Sequence, residues 1–132
     1  MKSKPSIPFS FVLENLYPKE PRIKPMFGCF AVYLDEKIIF ILRKREEHQD
    51  DNGVWLATSR KHHSDLKKIF PMMRSIGVLG NGETNWQIIP EEVPSFESDV
   101  LRLCELVRKG DKRIGKIPGR KKRTNYKNKF PK

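Results

Sequence analysis

Arg22-Ile23-Lys24-Pro25-Met26-Phe27-Gly28 leads into Cys29-Phe30-Ala31-Val32-Tyr33-Leu34, a short polar break follows at Asp35-Glu36-Lys37, and Ile38-Ile39-Phe40-Ile41-Leu42 resumes the apolar run. Two runs rich in β-branched and aromatic residues, joined by three polar ones, read as a β-hairpin. Both runs are apolar at consecutive positions, so both faces of each strand must be covered and the hairpin belongs in the middle of a sheet. Gly28 stands where the chain enters the first run, a place where a residue without a Cβ lets the backbone bend or approach a neighbour.

Working outward, Phe11, Val12, Leu13 and Leu16 suggest a first helix that starts near Ser10 and is stopped by Pro18. Residues 43–53 form a long polar stretch, expected to be a mobile loop with Asn52-Gly53 as its turn signal. Val54-Trp55-Leu56-Ala57 reads as a third strand. A helix is expected from His63 or Ser64 to Phe70, with Ser64 as N-cap and Pro71 closing it. Ser75–Leu79 and Thr84–Ile89 read as two further strands around Gly80-Asn81-Gly82, whose Asn-Gly pair suits a type I′ turn.

Pro94-Ser95 opens the best-marked helix. Glu97 and Asp99 complement its positive end, Lys109-Gly110 closes it, and Phe96, Val100, Leu103, Cys104 and Val107 recur at helical spacing. The order α-β-β-β-α-β-β-α makes this an α+β sandwich, a mainly antiparallel sheet carrying helices.

The order Met26-Phe27-Gly28, an apolar strand ending in Tyr33, then Asp35 and a second apolar strand resembles the N-terminal domain of the TfoX/Sxy competence-regulator family. The resemblance runs over roughly residues 8–110, through Trp86-Gln87-Ile88-Ile89-Pro90-Glu91-Glu92 and the last helix. It implies a fold of the secretion-chaperone-like kind and a role in regulating gene expression in a bacterial cell. Full-length relatives often carry a second, helical domain where this chain has a basic tail. Met26, Phe27, Gly28, Tyr33 and Asp35 are the family-motif residues, read as structural, with packing the expected role of Phe27 and Gly28.

At 132 residues the chain is long enough for one domain with a real core, and 37% apolar against 33% charged residues indicates a globular unit with a heavily charged surface or tail. No apolar run reaches the length of a membrane span, and the N-terminus lacks a signal-like apolar core, so the cytoplasm is the expected compartment. Cys29 and Cys104 each lie in an apolar pattern and read as buried, reduced thiols.

The +11 net charge is not evenly spread. Residues 1–110 hold 17 Lys+Arg against 15 Asp+Glu, a net of +2; residues 111–132 hold ten against one, a net of +9. The expected organisation is therefore a domain over 1–110 and a basic, disordered tail over 111–132. Lys112, Arg113, Lys116, Arg120, Lys121, Lys122, Arg123, Lys127, Lys129 and Lys132 would neutralise phosphates, and the interleaved Tyr126 and Phe130 could stack on unpaired bases. A merely solubilising tail is the bland counterpart, and an acidic protein or membrane surface the other alternative.

Chemistry-bearing clusters are thin. His62 and His63 are sequence neighbours and project about 100° apart on a helix, which does not suit chelation. His48 among Glu46, Glu47, Asp50 and Asp51 lacks the ordered spacing of a calcium loop. Ser59-Arg60-Lys61 ahead of a helix suggests weak anion binding at most. No catalytic residue, cofactor or metal site is implied. The expected function is a non-enzymatic accessory or regulatory protein contacting nucleic acid through its tail. The alternative is a protein-interaction or chaperone-like module without a nucleic-acid role, compatible with a regulatory protein partner or a homodimer.

Overall fold

The structure, a computed structural model, describes residues 6–78 and 85–117. Six strands form one antiparallel sheet: β1 (Arg22–Met26), β2 (Cys29–Leu34), β3 (Lys37–Arg43), β4 (Gly53–Leu56), β5 (Arg74–Ser75) and β6 (Gln87–Pro90), in the spatial order β1-β2-β3-β4-β6-β5. With helices α1 (Phe11–Glu14), α2 (Arg60–Ile69) and α3 (Phe96–Arg108), the architecture is α+β. The β2–β3 hairpin is in place, with a bulge at Ile39: Val32 faces Phe40 while Tyr33 faces Ile38.

β1 is a strand that the sequence reading treated as a lead-in. Arg22, Lys24 and Pro25 are exposed on it, and only β2 pairs with it among the described residues. An edge strand buries little, so it does not need the apolar pattern that announces a central one. Met26 and Cys29 close a two-residue turn, which makes them a hydrogen-bonded pair; Pro25 opposite Phe30 therefore turns its N–H-less nitrogen to the open side.

Each face of the sheet has its own core. Val32, Phe40, Leu42, Val54, Leu56 and Ile89 pack under Val12 and Leu16 at the first helix, Leu66 and Phe70 of the α2 region, and Val100, Leu103, Cys104 and Val107 of α3. On the opposite face Cys29, Ala31, Ile38, Ile41, Trp55, Ala57, Ile76 and Ile88 form a second cluster with Trp86 and Val78 against it. The Trp55 and Trp86 rings lie 6.1 Å apart. Coverage on both sides explains why β3 and β4 are continuous apolar runs.

The ends of α3 follow the sequence: Glu97 and Asp99 sit in its first turn, and Gly110 at φ +80° allows a Schellman closure. The N–H of Asp111 donates to Leu106 O and that of Gly110 to Val107 O, satisfying two terminal carbonyls. α2 begins earlier than expected. Ser59, not Ser64, occupies the N-cap position, and both histidines lie inside the helix. β5 is confined to Arg74–Ser75 and β6 starts at Gln87; Gly80, Asn81 and Gly82 lie outside the described residues.

Residues 43–53, read as a mobile polar loop, are pinned from within. Arg43, 4% exposed, donates to the carbonyls of Glu47 (3.0 Å) and His48 (2.9 Å) and to Asn52 Oδ1 (2.8 Å). Asn52 also bridges both backbone groups of Arg45, each at 2.9 Å. Asp51, 3% exposed, accepts from the N–H groups of Gly77 (2.8 Å) and Val78 (2.6 Å) and pairs with Arg74 at 3.1 Å. A chain with no apolar residues is held because buried polar groups must find partners, and here they find backbone.

The boundary after Gly110 also differs. Ile114 is 3% exposed in the helix-side core, and the backbones of Lys116 and Ile38 exchange two hydrogen bonds, at 2.8 and 3.0 Å, just past the end of β4. The first residues of the basic segment are thus part of the folded unit.

Candidate functional site

The hairpins place Met26, Phe27, Gly28, Tyr33 and Asp35 at two ends of the same strand. Met26, Phe27 and Gly28 form the β1–β2 turn; Tyr33 and Asp35 lie at the β2–β3 turn. Phe27 (φ +50°) and Gly28 (φ +78°) both adopt left-handed backbone, as a type I′ turn requires. Gly28 is free to do so. Phe27 is not, and its side chain is 92% exposed, so the packing role expected for it does not hold. Arg45 crosses the turn, its guanidinium 3.5 Å from Phe27 O and paired with Glu47 at 2.5 Å. That arrangement holds Glu47 below the usual carboxylate range, chiefly through the Arg45 hydrogen bond.

At the other turn, Asp35 takes φ +56°, a conformation that Asp tolerates better than most residues. Arg22 donates to Asp35 O at 3.2 Å and stacks over the Tyr33 ring, 4.7 Å from its centre. The ladder continues in register from Arg22 to Tyr33, from Tyr33 to Ile38 and from Ile38 to Lys116. Opposed residues share a sheet face, so the four side chains form one row on the side away from the helices. In the next row Lys24 faces Ala31.

The basic segment starts beside this row. Lys112 and Lys116 are exposed, while Arg113 is bound to Asp111 through two contacts of 2.9 and 2.6 Å. The pairing lowers the Asp111 pKa and raises that of Arg113, in each case mainly through the side-chain hydrogen bond. Lys37 reaches the same corner, where its Cδ would lie 3.3 Å from a Cβ built on Gly115. Among the described residues, Arg22, Lys24, Lys37, Lys112 and Lys116 make no ion pair. Arg120, Lys121, Lys122, Arg123, Tyr126, Lys127, Lys129, Phe130 and Lys132 lie outside the described residues.

Elsewhere the chemistry is sparse. An open cleft of about 550 Å³ is lined by Lys44, Arg45, Glu46, Gln49, Asn52, Glu91 and Glu92, but its central charges, Lys44 and Glu91, are paired at 2.5 Å. Among the described residues no three His, Cys, Asp or Glu side chains gather as metal ligands. Cys29 and Cys104 are free and buried; desolvation raises both thiols, Cys104 to about 12. No helix among the described residues is long and apolar enough to cross a membrane.

The exposure of Phe27 and the Arg22–Tyr33–Lys116 row were not legible beforehand. The one available signal was Phe-Gly between two strands, a turn position where Asn-Gly would be ordinary. No family model matches the chain, and neither the curated proteins nor the solved structures contain a match.

Proposed function

We propose that this chain is a non-enzymatic accessory or regulatory protein that resembles the TfoX/Sxy N-terminal domain and holds nucleic acid electrostatically through its basic segment. The carrying observation is the concentration of charge: residues 1–110 have a net of +2, and residues 111–132 a net of +9 whose first part joins the folded unit at β3 through Lys116. Exposed Lys112 and Lys116, without ion pairs among the described residues, extend that charge onto the sheet. Lys and Arg contacts to phosphate release counterions and give affinity without sequence selectivity, the property of an accessory binder.

The test is a salt series of oligonucleotide binding by the full chain and by a full-length variant carrying Arg120→Gln, Lys121→Gln, Lys122→Gln and Arg123→Gln. Keeping the full length matters, because ending the chain at Gly110 would strip Ile114 from the core. Binding that weakens steeply with salt, with a slope reduced by about 3 in the variant, is the expected result. Equal binding by both proteins, or none by either, overturns the proposal.

A further inference from the structure

Phe27 combines two unfavourable choices at one position. A large aromatic ring stands almost wholly in water, and its backbone is held at φ +50°, where a side chain is strained and Asn or Gly would sit comfortably. An isolated exposed apolar residue needs no explanation. One at a position that disfavours it, in the turn of a hairpin, points to use.

The surroundings say for what. Arg22, Lys24 and Met26 alternate along β1 and so share the helix-free face with Tyr33. Arg22 and Lys24 are exposed, about 6.7 Å apart along the strand, and without ion pairs among the described residues. Lys116 lies across the sheet from Arg22, at the other end of the Arg22–Tyr33–Ile38–Lys116 row. Of the acids near this hairpin, Glu47 is paired with Arg45, and Asp35 and Glu36 sit exposed at the opposite turn. The result is an edge strand with cations along it, a half-exposed Tyr33 at one end and a bare ring at the other.

We infer that the β1–β2 hairpin is a binding strip for single-stranded nucleic acid, with Phe27 stacking on an unpaired base and Arg22, Lys24 and Lys116 taking phosphates. Stacking requires a base that is not already paired, so the strip prefers single strands over duplex. The inference rests on the proposed function and gives it a folded reader beside the basic segment.

The experiment measures anisotropy of a labelled oligothymidine and of a duplex of the same length with the full chain, Phe27→Ala, Phe27→Trp and Lys24→Glu. Phe27→Ala is expected to weaken single-strand binding about tenfold, with Phe27→Trp retaining it and the duplex little affected. Lys24→Glu is expected to weaken both. Because the Phe27 side chain touches water rather than core, circular dichroism melts should show each variant folded. If Phe27→Ala binds like the parent while the Arg120–Arg123 variant loses affinity, the hairpin inference falls and the tail proposal stands. If the full chain binds neither probe, both fall. Self-association that depends on Phe27, without oligonucleotide binding, also overturns it in favour of a protein contact.

Discussion

Arg45 occupies the space in front of Gly28: a Cβ built on residue 28 would lie 1.4 Å from Arg45 Nη1. The β1–β2 turn is therefore constrained twice, by its left-handed backbone and by the guanidinium laid across it. An Arg tip can swing aside, so the backbone term should dominate. Gly28→Ala is expected to cost about 1 kcal/mol in urea unfolding, and combining it with Arg45→Ala should recover only a minor part. At the neighbouring position the sign reverses. Phe27→Asn should stabilise the fold by a few tenths of a kcal/mol while removing the exposed ring.

Arg43 donates to the Glu47 and His48 carbonyls, the latter shared with the Asp51 N–H, and takes part in positioning Asn52, with no carboxylate partner among the described residues. Arg43→Ala should cost roughly 3 kcal/mol, since the Glu47 carbonyl loses the guanidinium, His48 O and Asn52 Oδ1 each lose one of two donors, and a cavity opens. Arg43→Lys should rescue little, because an ammonium cannot reproduce the planar fork. Denaturant midpoints compare the three proteins directly.

Ile114 lies in the helix-side core, beyond the point where the sequence pattern places the end of the domain. Its truncation to Ala is expected to cost about 3 kcal/mol, whereas Lys112→Ala, at an exposed position, should stay within about 0.5 kcal/mol. Equal, small effects would place residue 114 outside the cooperative unit.

Pro25 denies the open edge of β1 one outward N–H. Pro25→Val restores the donor on an exposed strand and should promote edge-to-edge pairing, seen as concentration-dependent association in sedimentation velocity. Unchanged sedimentation at high concentration would show that Arg22 and Lys24 protect the edge by themselves.

Burial raises the Cys104 thiol to about 12, with Arg108 acting more weakly in the opposite direction. The unfolded thiol ionises near 9, so between about pH 9 and 12 the folded state keeps a proton that the unfolded state loses. Stability is therefore full below that window and falls as pH rises through it. Cys104→Ala should flatten the decline in urea midpoint between neutral pH and about pH 10.5, measured against the parent; Cys29, raised in the same direction, contributes to what remains.

The sequence by itself determined the β2–β3 hairpin, the extent and capping of α3 and the burial of both cysteines. Each is written in local periodicity or in residues next to the element they end: Ile38 to Leu42 cannot face water on either side, and Gly110 can close a helix without strain. Tertiary structure decided the rest. β1 is a strand only because β2 offers it a ladder, since Arg22, Lys24 and Pro25 carry no strand pattern of their own. Residues 43–53 are fixed because Gly77 and Val78 bring unpaired N–H groups to Asp51 and Arg43 turns inward, partners that no local window contains. Phe27 is exposed for the same reason: an apolar residue in sequence says only that burial would be favourable. Whether anything stands opposite to bury it depends on where the turn points, and that is settled by the register of two strands rather than by the residue.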